Sequence, residues 1–271
     1  MPRRITNSIS KPYIPSQCPR AQPYAFLNLP FELRLQIYDF LIPRREIIRA
    51  DLTGLKLLGV KVSDTTPPTQ FLSSSNEKEN FHNQGRCKIL QLCKQISEEC
   101  LDILYGKNTF LVFCQEMGDY ILDSHITEAN RRRIRAVIIE QERNSNYCLV
   151  NSASPARYLW KTILPNLRDL TISLEDPMGS CSHENLDCEI TRRDICFWHA
   201  WVTEYITYFG MEYKSRNTIT IWVKAEDDDD LEEMMKLIER YMRSWRIQTE
   251  KSVRYPYGSY SYAWRLLLQR V

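Results

Sequence analysis

Cysteine, histidine and carboxylate spacing is where reactive chemistry would show first. Thiolates and imidazoles within a short span suit tetrahedral zinc. The densest such span here is Cys181-Ser182-His183, then Cys188, then Cys196-Phe197-Trp198-His199. Its spacing matches no standard finger. His199 also falls on the apolar stripe of a helix expected over 194–209, beside Ile195, Val202 and Ile206, where a core histidine is the simpler outcome. The expectation is no metal at Cys181, His183, Cys188 or Cys196, and no cofactor. The chain has eight Gly and four His (His82, His125, His183 and His199). It shows no Gly-rich phosphate loop, no dinucleotide fingerprint and no Gly-x-Ser-x-Gly elbow. No nucleophile–base pair can be drawn from the spacing. A non-enzyme is expected, with the 181–199 segment as the starting point for any enzyme or metalloprotein alternative.

Charge runs are the next candidates. Arg131-Arg132-Arg133 with Arg135 could touch phosphates. The run sits just before an apolar strand and lacks interleaved aromatics, so a solvated turn is expected and no nucleic-acid partner. Asp227 to Asp230 with Glu232 and Glu233 precede a helix whose end carries Arg240 and Arg243. That is the arrangement the helix dipole favours. Lys plus Arg number 36 and Asp plus Glu 34 in 271 residues, a formal net charge of +2. Such a balance supplies no general attraction to DNA or an acidic membrane. No apolar run approaches the roughly 20 residues that cross a bilayer, so no membrane partner is expected. Nine Cys, an odd count in a large chain, and no secretory leader suggest reduced thiols and a cytoplasmic or nuclear location.

The elements that position these residues follow from periodicity. Residues 30–42 predict a helix, with Pro30 in its first turn and Pro43 as its stop. It carries two apolar stripes. Phe31, Leu35, Tyr38 and Ile42 form one; Leu33, Ile37, Phe40 and Leu41 form the other. One stripe suffices for a surface helix, so the second is either buried as well or free for a partner. Runs 45–51 and 56–62 predict a β-hairpin. Residues 88–105 predict an amphipathic helix stopped by Gly106. Strands then alternate with helices: strands over 109–114, 134–139, 167–174 and 218–223, helices over 117–125, 155–164 (N-cap Ser154), 194–209 (stopped by Gly210) and 229–245. This favours a mostly parallel sheet with crossover helices. Ile134-x-x-Val137-x-Ile139 and Leu167-x-x-Leu170-x-Ile172 share a leucine-rich-repeat-like spacing, degenerate because the interval between them is long.

The stretch Phe26-Leu27-Asn28-Leu29-Pro30-Phe31-Glu32-Leu33-Arg34-Leu35-Gln36-Ile37-Tyr38-Asp39-Phe40-Leu41 resembles the opening helix of the F-box-like proteins abundant in filamentous fungi. Residues 89–96, Ile-Leu-Gln-Leu-Cys-Lys-Gln-Ile, and 104–110, Leu-Tyr-Gly-Lys-Asn-Thr-Phe, resemble the helix and strand that follow in that group. An F-box docks on a Skp-type adaptor of a cullin-RING ubiquitin ligase. The resemblance therefore implies partner contacts at Leu29, Pro30, Leu33, Ile37 and Leu41. It implies a non-catalytic adaptor, with a plain interaction scaffold as the alternative.

The expected fold class is α/β: N-terminal F-box-like helices with a β-hairpin insert, then a mostly parallel sheet with crossover helices and degenerate leucine-rich-repeat-like strands. The expected organisation is a flexible lead (1–23), the F-box-like part (24–108, insert at 44–86), the sheet region (109–250) and a Tyr-rich C-terminal segment (251–271).

Overall fold

The computed structural model describes residues 26–51, 54–61, 85–113, 118–140, 155–175, 200, 202–213, 218–225, 228–254 and 262–270. The chain separates into two units, Met1–Phe40 and Leu41–Val271. The first holds a 3-10 turn, Phe26–Asn28, and all but the last residue of helix α1, Phe31–Leu41.

The second unit is an α/β unit built on one eight-stranded sheet. Its strands are β1 (Glu46–Asp51), β2 (Gly54–Lys61), β3 (Thr109–Phe113), β4 (Ala136–Glu140), β5 (Asp169–Glu175), β6 (Ile219–Ala225), β7 (Trp245–Arg254) and β8 (Tyr262–Arg270). The order is β2-β1-β3-β4-β5-β6-β8-β7. β1, β3, β4, β5 and β6 run parallel, and antiparallel strands flank them on both sides. The helices are α2 (Lys94–Gly106), α3 (Gly118–His125), α4 (Glu128–Arg131), α5 (Arg157–Ile163), α6 (202–212) and α7 (Asp228–Tyr241).

The sheet forms because its strands are apolar where they meet. Ile48, Phe110, Val137, Leu170, Ile219 and Leu268 make one cross-strand row. Ala50, Val112, Ile139, Ile172, Ile221 and Leu266 make the next. All twelve side chains are buried. The repeat-like spacing has a structural counterpart in these rows. Val137 pairs with Leu170 and Ile139 with Ile172, so equivalent pattern positions lie side by side. The parallel order advances one way, so right-handed crossovers lay their helices over a single face. Contacts agree: the Asp119 carboxylate of α3 bonds residues of both α5 and α6, and Trp160 of α5 meets Phe209 of α6 edge-on, centroids 5.1 Å apart. On the opposite face Ile47, Leu58, Leu111, Phe113 and Ile138 form a second buried cluster.

Several expected bounds move. The helix expected over 88–105 is broken. A 3-10 turn occupies Gly85–Gln91, Cys93 is fully extended, and the α-helix begins only at Lys94. Leu92, expected to face inward, is exposed. Apolar spacing alone cannot register one extended residue inside a helical period. The helix expected over 155–164 is Arg157–Ile163 with Ala156 at its N-cap position, and the proposed cap Ser154 lies outside the described residues. Gly210 does not stop α6, which runs to residue 212. The glycine serves close approach instead: a Cβ there would lie 2.5 Å from Met242 Sδ, and the Trp245 indole N–H donates to the Gly210 carbonyl at 3.3 Å. The last helix ends at Tyr241, and Trp245 opens β7. The hairpin β1–β2 is part of the large sheet rather than an insert in a helical domain. Most of the stretch 251–271 likewise joins that sheet, in the end of β7 and in β8.

A candidate protein-docking face

Helix α1 begins where Pro30 accepts the first turn. The Pro30 carbonyl receives N–H bonds from Leu33 (3.0 Å) and Arg34 (3.1 Å). Arg34 then folds back along the helix. Its Nη1 donates to the carbonyls of Leu27 (3.1 Å) and Leu29 (2.7 Å), which fixes the Leu-Asn-Leu-Pro lead against the helix. Burying a guanidinium is costly unless its donors are met; here the carbonyls ahead of the helix meet them. Tyr38, four residues on, is fully buried, and its ring lies 5.7 Å from that of Phe26.

The second apolar stripe of α1 is partly exposed. Leu33 (44% exposed), Ile37 (37%) and Leu41 (39%) recur every four residues, so they stand above one another on one face. Phe40, at 86%, stands beside them. Of the residues singled out in the sequence, Pro30, Leu33, Ile37 and Leu41 are thus exposed, and Leu29 is half-buried with its carbonyl engaged by Arg34. Phe31 shares a sequence stripe with Leu35 and Tyr38. It is 46% exposed, with the guanidinium of buried Arg34 5.6 Å from its ring centroid. Leu35 is half-buried. The site list drawn from sequence missed Phe40, although its place on the second stripe was visible.

The other candidate groups resolve differently. Arg131 pairs with Asp123, Arg132 with Glu128, and Arg133 with Glu98 and Asp102. The arginine run therefore joins α2, α3 and α4 to the turn before β4. Its sequence looks like a phosphate patch, but these three charges are matched within the chain. Cys181, His183, Cys188, Cys196 and His199 lie outside the described residues. Among the described residues no cluster of metal-ligating side chains occurs. Cys100 is a core thiol, pushed up to about 12 first by burial and then by the Glu99 charge, so its thiolate is suppressed. No described helix is long and apolar enough to cross a membrane.

A second polar centre was not anticipated. Asp119, in the first turn of α3, accepts three hydrogen bonds on Oδ2: from Ala156 N (2.9 Å), Trp160 Nε1 (3.1 Å) and the Tyr205 hydroxyl (3.2 Å). Its Oδ1 is buried and accepts none. Burial raises its pKa, and the three hydrogen bonds oppose the rise. One carboxylate thereby ties α3, α5 and α6 together. Nothing in the local spacing of Asp119 signals this, because its partners lie at 156, 160 and 205.

Residues 19–189 match a protein family described as a domain of unknown function, DUF7730. No curated protein matches the chain. Two solved structures show a faint likeness. One is the precorrin-6y C5,15-methyltransferase from Geobacter metallireducens GS-15, at 11% identity and a TM-score of 0.24, over 65% of this chain and 75% of that one. The other is TYW2 of M. jannaschii in complex with AdoMet, at 9% identity and a TM-score of 0.23, over 84% of this chain and 88% of that one. At those TM-scores the likeness carries no argument.

Proposed function

We propose a function from the premise that this chain belongs to the DUF7730 family, a domain of unknown function: it is a non-catalytic interaction adaptor that docks a partner protein through the partly exposed apolar face of α1. The observation that supports this reading is the row Leu33, Ile37 and Leu41 with Phe40 beside it, exposed on a helix whose other side is occupied by buried Arg34 and Tyr38. Exposed apolar side chains that adjoin on one face mark interaction sites more often than scattered ones do. Anchors at four-residue spacing suit insertion of a helix into an apolar groove. The resemblance of this segment to an F-box opening helix names the occupant, a Skp-type adaptor of a cullin-RING ligase.

Capture of a purified Skp-type adaptor by the full chain tests the proposal. Wild type should retain the adaptor. Ile37→Asp, which would desolvate a charge only on docking, should lose it at least about tenfold, since an unpaired charge in an interface costs more than the ~1.4 kcal/mol that a factor of ten represents. Absence of adaptor binding by the wild type would remove the ligase link.

A further inference from the structure

The N-terminal edge of the parallel strands gathers cations from distant parts of the chain. Arg45 precedes β1, Lys107 precedes β3, Arg135 precedes β4 and Arg168 precedes β5, four neighbouring strands. Close contacts link them in a line. Arg45 N donates to the Lys107 carbonyl at 2.9 Å, and Arg168 N donates to the Arg135 carbonyl at 2.7 Å. Between these pairs, a Cβ on Gly106 would lie 3.9 Å from Arg135 Cγ. At about 4.8 Å per strand the line spans roughly 14 Å.

These charges differ from the neighbouring arginine run. Arg45, Lys107 and Arg168 are exposed and form no ion pair among the described residues. The Arg135 guanidinium is aimed by the carbonyls of Arg132 (2.7 Å) and Ile134 (3.0 Å). Burial, and then the charge of Arg168, lowers its pKa, and the charge of Asp102, itself bonded to Arg133, opposes the shift. Like charges are thus held together, and among the described residues no carboxylate is bonded to them.

The main chain beneath is fixed. Asn108, 1% exposed, donates to the carbonyls of Pro43 and Leu104 at 2.8 Å each and accepts from Glu46 N at 3.0 Å. These bonds bracket Arg45, which sits at φ 56, a left-handed conformation uncommon for a residue with a Cβ and maintained only where the surroundings enforce it.

We propose that this edge binds phosphate oxyanions presented in a row, as an inorganic oligophosphate or the backbone of a single-stranded nucleic acid presents them. A phosphate chain repeats its charge at every unit. An extended acidic peptide turns successive side chains to opposite faces, so only every second residue would meet the row. The expectation of no nucleic-acid partner rested on the net charge of +2 and on the Arg131–Arg135 run; three of the four cations lie outside that run, and a net charge does not record their grouping. The role is separate from docking by α1.

The test uses the full chain, a labelled short single-stranded RNA of mixed sequence, and inorganic tripolyphosphate and polyglutamate as competitors, at about 50 and 200 mM salt. RNA should bind and weaken steeply with salt. The double variant Lys107→Ala, Arg168→Ala should bind at least about tenfold more weakly, with a salt slope shallower by about 0.7 per cation removed. Arg132→Ala, whose guanidinium is paired with Glu128, should bind as wild type. Should the double variant melt early, the single variant Arg168→Gln repeats the comparison. RNA binding assigns the edge to a nucleic-acid backbone, and tripolyphosphate binding without RNA assigns it to free oligophosphate; both support the proposal. It is overturned if neither ligand binds wild type, if the variants bind undiminished, or if polyglutamate displaces RNA as well as tripolyphosphate does.

Discussion

Helix α1 and the joint formed by α3, α5 and α6 are built from similar side chains and end in opposite states. Both are rich in aromatic and aliphatic residues at helical spacing, and each contains a charged group turned inward, Arg34 in one and Asp119 in the other. In α1 the inward charge satisfies the carbonyls ahead of its own helix, and the outer apolar row stays partly exposed. In the joint the inward charge collects donors from two other helices, and Trp160, Phe209 and Tyr205 close around it. A locally satisfied polar group leaves a helix free to offer its other face. One satisfied across elements commits those elements to each other.

The comparison predicts the largest loss at Trp160. Its ring is fully buried, meets Phe209 edge-on and donates to Asp119. Trp160→Ala should destabilise by about 3–5 kcal/mol, the range for deleting a buried large aromatic, measured by chemical denaturation. A loss of about 0.5 kcal/mol would mean that the joint is not a packed core.

Gly118→Ala should cost less, about 1–3 kcal/mol, the range for overpacking. A Cβ at that position would come 2.6 Å from the Phe113 carbonyl oxygen, and a backbone atom cannot rotate away. Unchanged unfolding would show that α3 is not pressed against β3 at its start.

Asp119 supplies a smaller, pH-linked effect. Its pKa in the fold is raised above the unfolded value, by burial first. The native state then binds the proton more tightly, so stability rises as pH falls from the raised value toward the ordinary carboxylate range. Nearby groups are Asp123, already paired with Arg131, together with Tyr158, Tyr208 and Arg157. Melting temperature against pH should show this rise in wild type and lose it in Asp119→Asn, which keeps an acceptor oxygen without a titrating group. Parallel pH profiles for the two proteins would refute it.

The smallest change in stability is expected at Ile37→Asp, within about 0.5 kcal/mol, as for surface substitutions generally. Its effect belongs to partner capture. If Ile37→Asp unfolds the chain as Trp160→Ala does, α1 is ordinary core and its contrast with the joint disappears.

Much of the fold was legible because the core obeys local rules. The parallel strands read as short apolar runs, and even the kinship of Ile134-x-x-Val137-x-Ile139 with Leu167-x-x-Leu170-x-Ile172 became register in the sheet. The two stripes of α1 were legible too, since helical periodicity needs only eleven residues to show itself. The resemblance pointed to the stripe of Leu33, Ile37 and Leu41 as the outer one, but periodicity alone did not separate Phe31 from Leu35 and Tyr38, and nothing local marked Arg34 as buried. The break at Cys93 was hidden because one extended residue barely disturbs an apolar period.

What the sequence determined by itself is the set of elements, their apolar faces and the absence of familiar phosphate-loop and hydrolase motifs, because each is written within a few consecutive turns or strands. What only the tertiary structure decided is how charges are used. Arg131, Arg132 and Arg133 look like an anion site in the sequence and are matched by carboxylates at positions 98, 102, 123 and 128. Arg45, Lys107 and Arg168 look like scattered surface residues and are brought to one sheet edge. The physical reason is that a charge is assigned its role by whatever lies within a few ångströms of it, and strand order, not chain order, sets those distances.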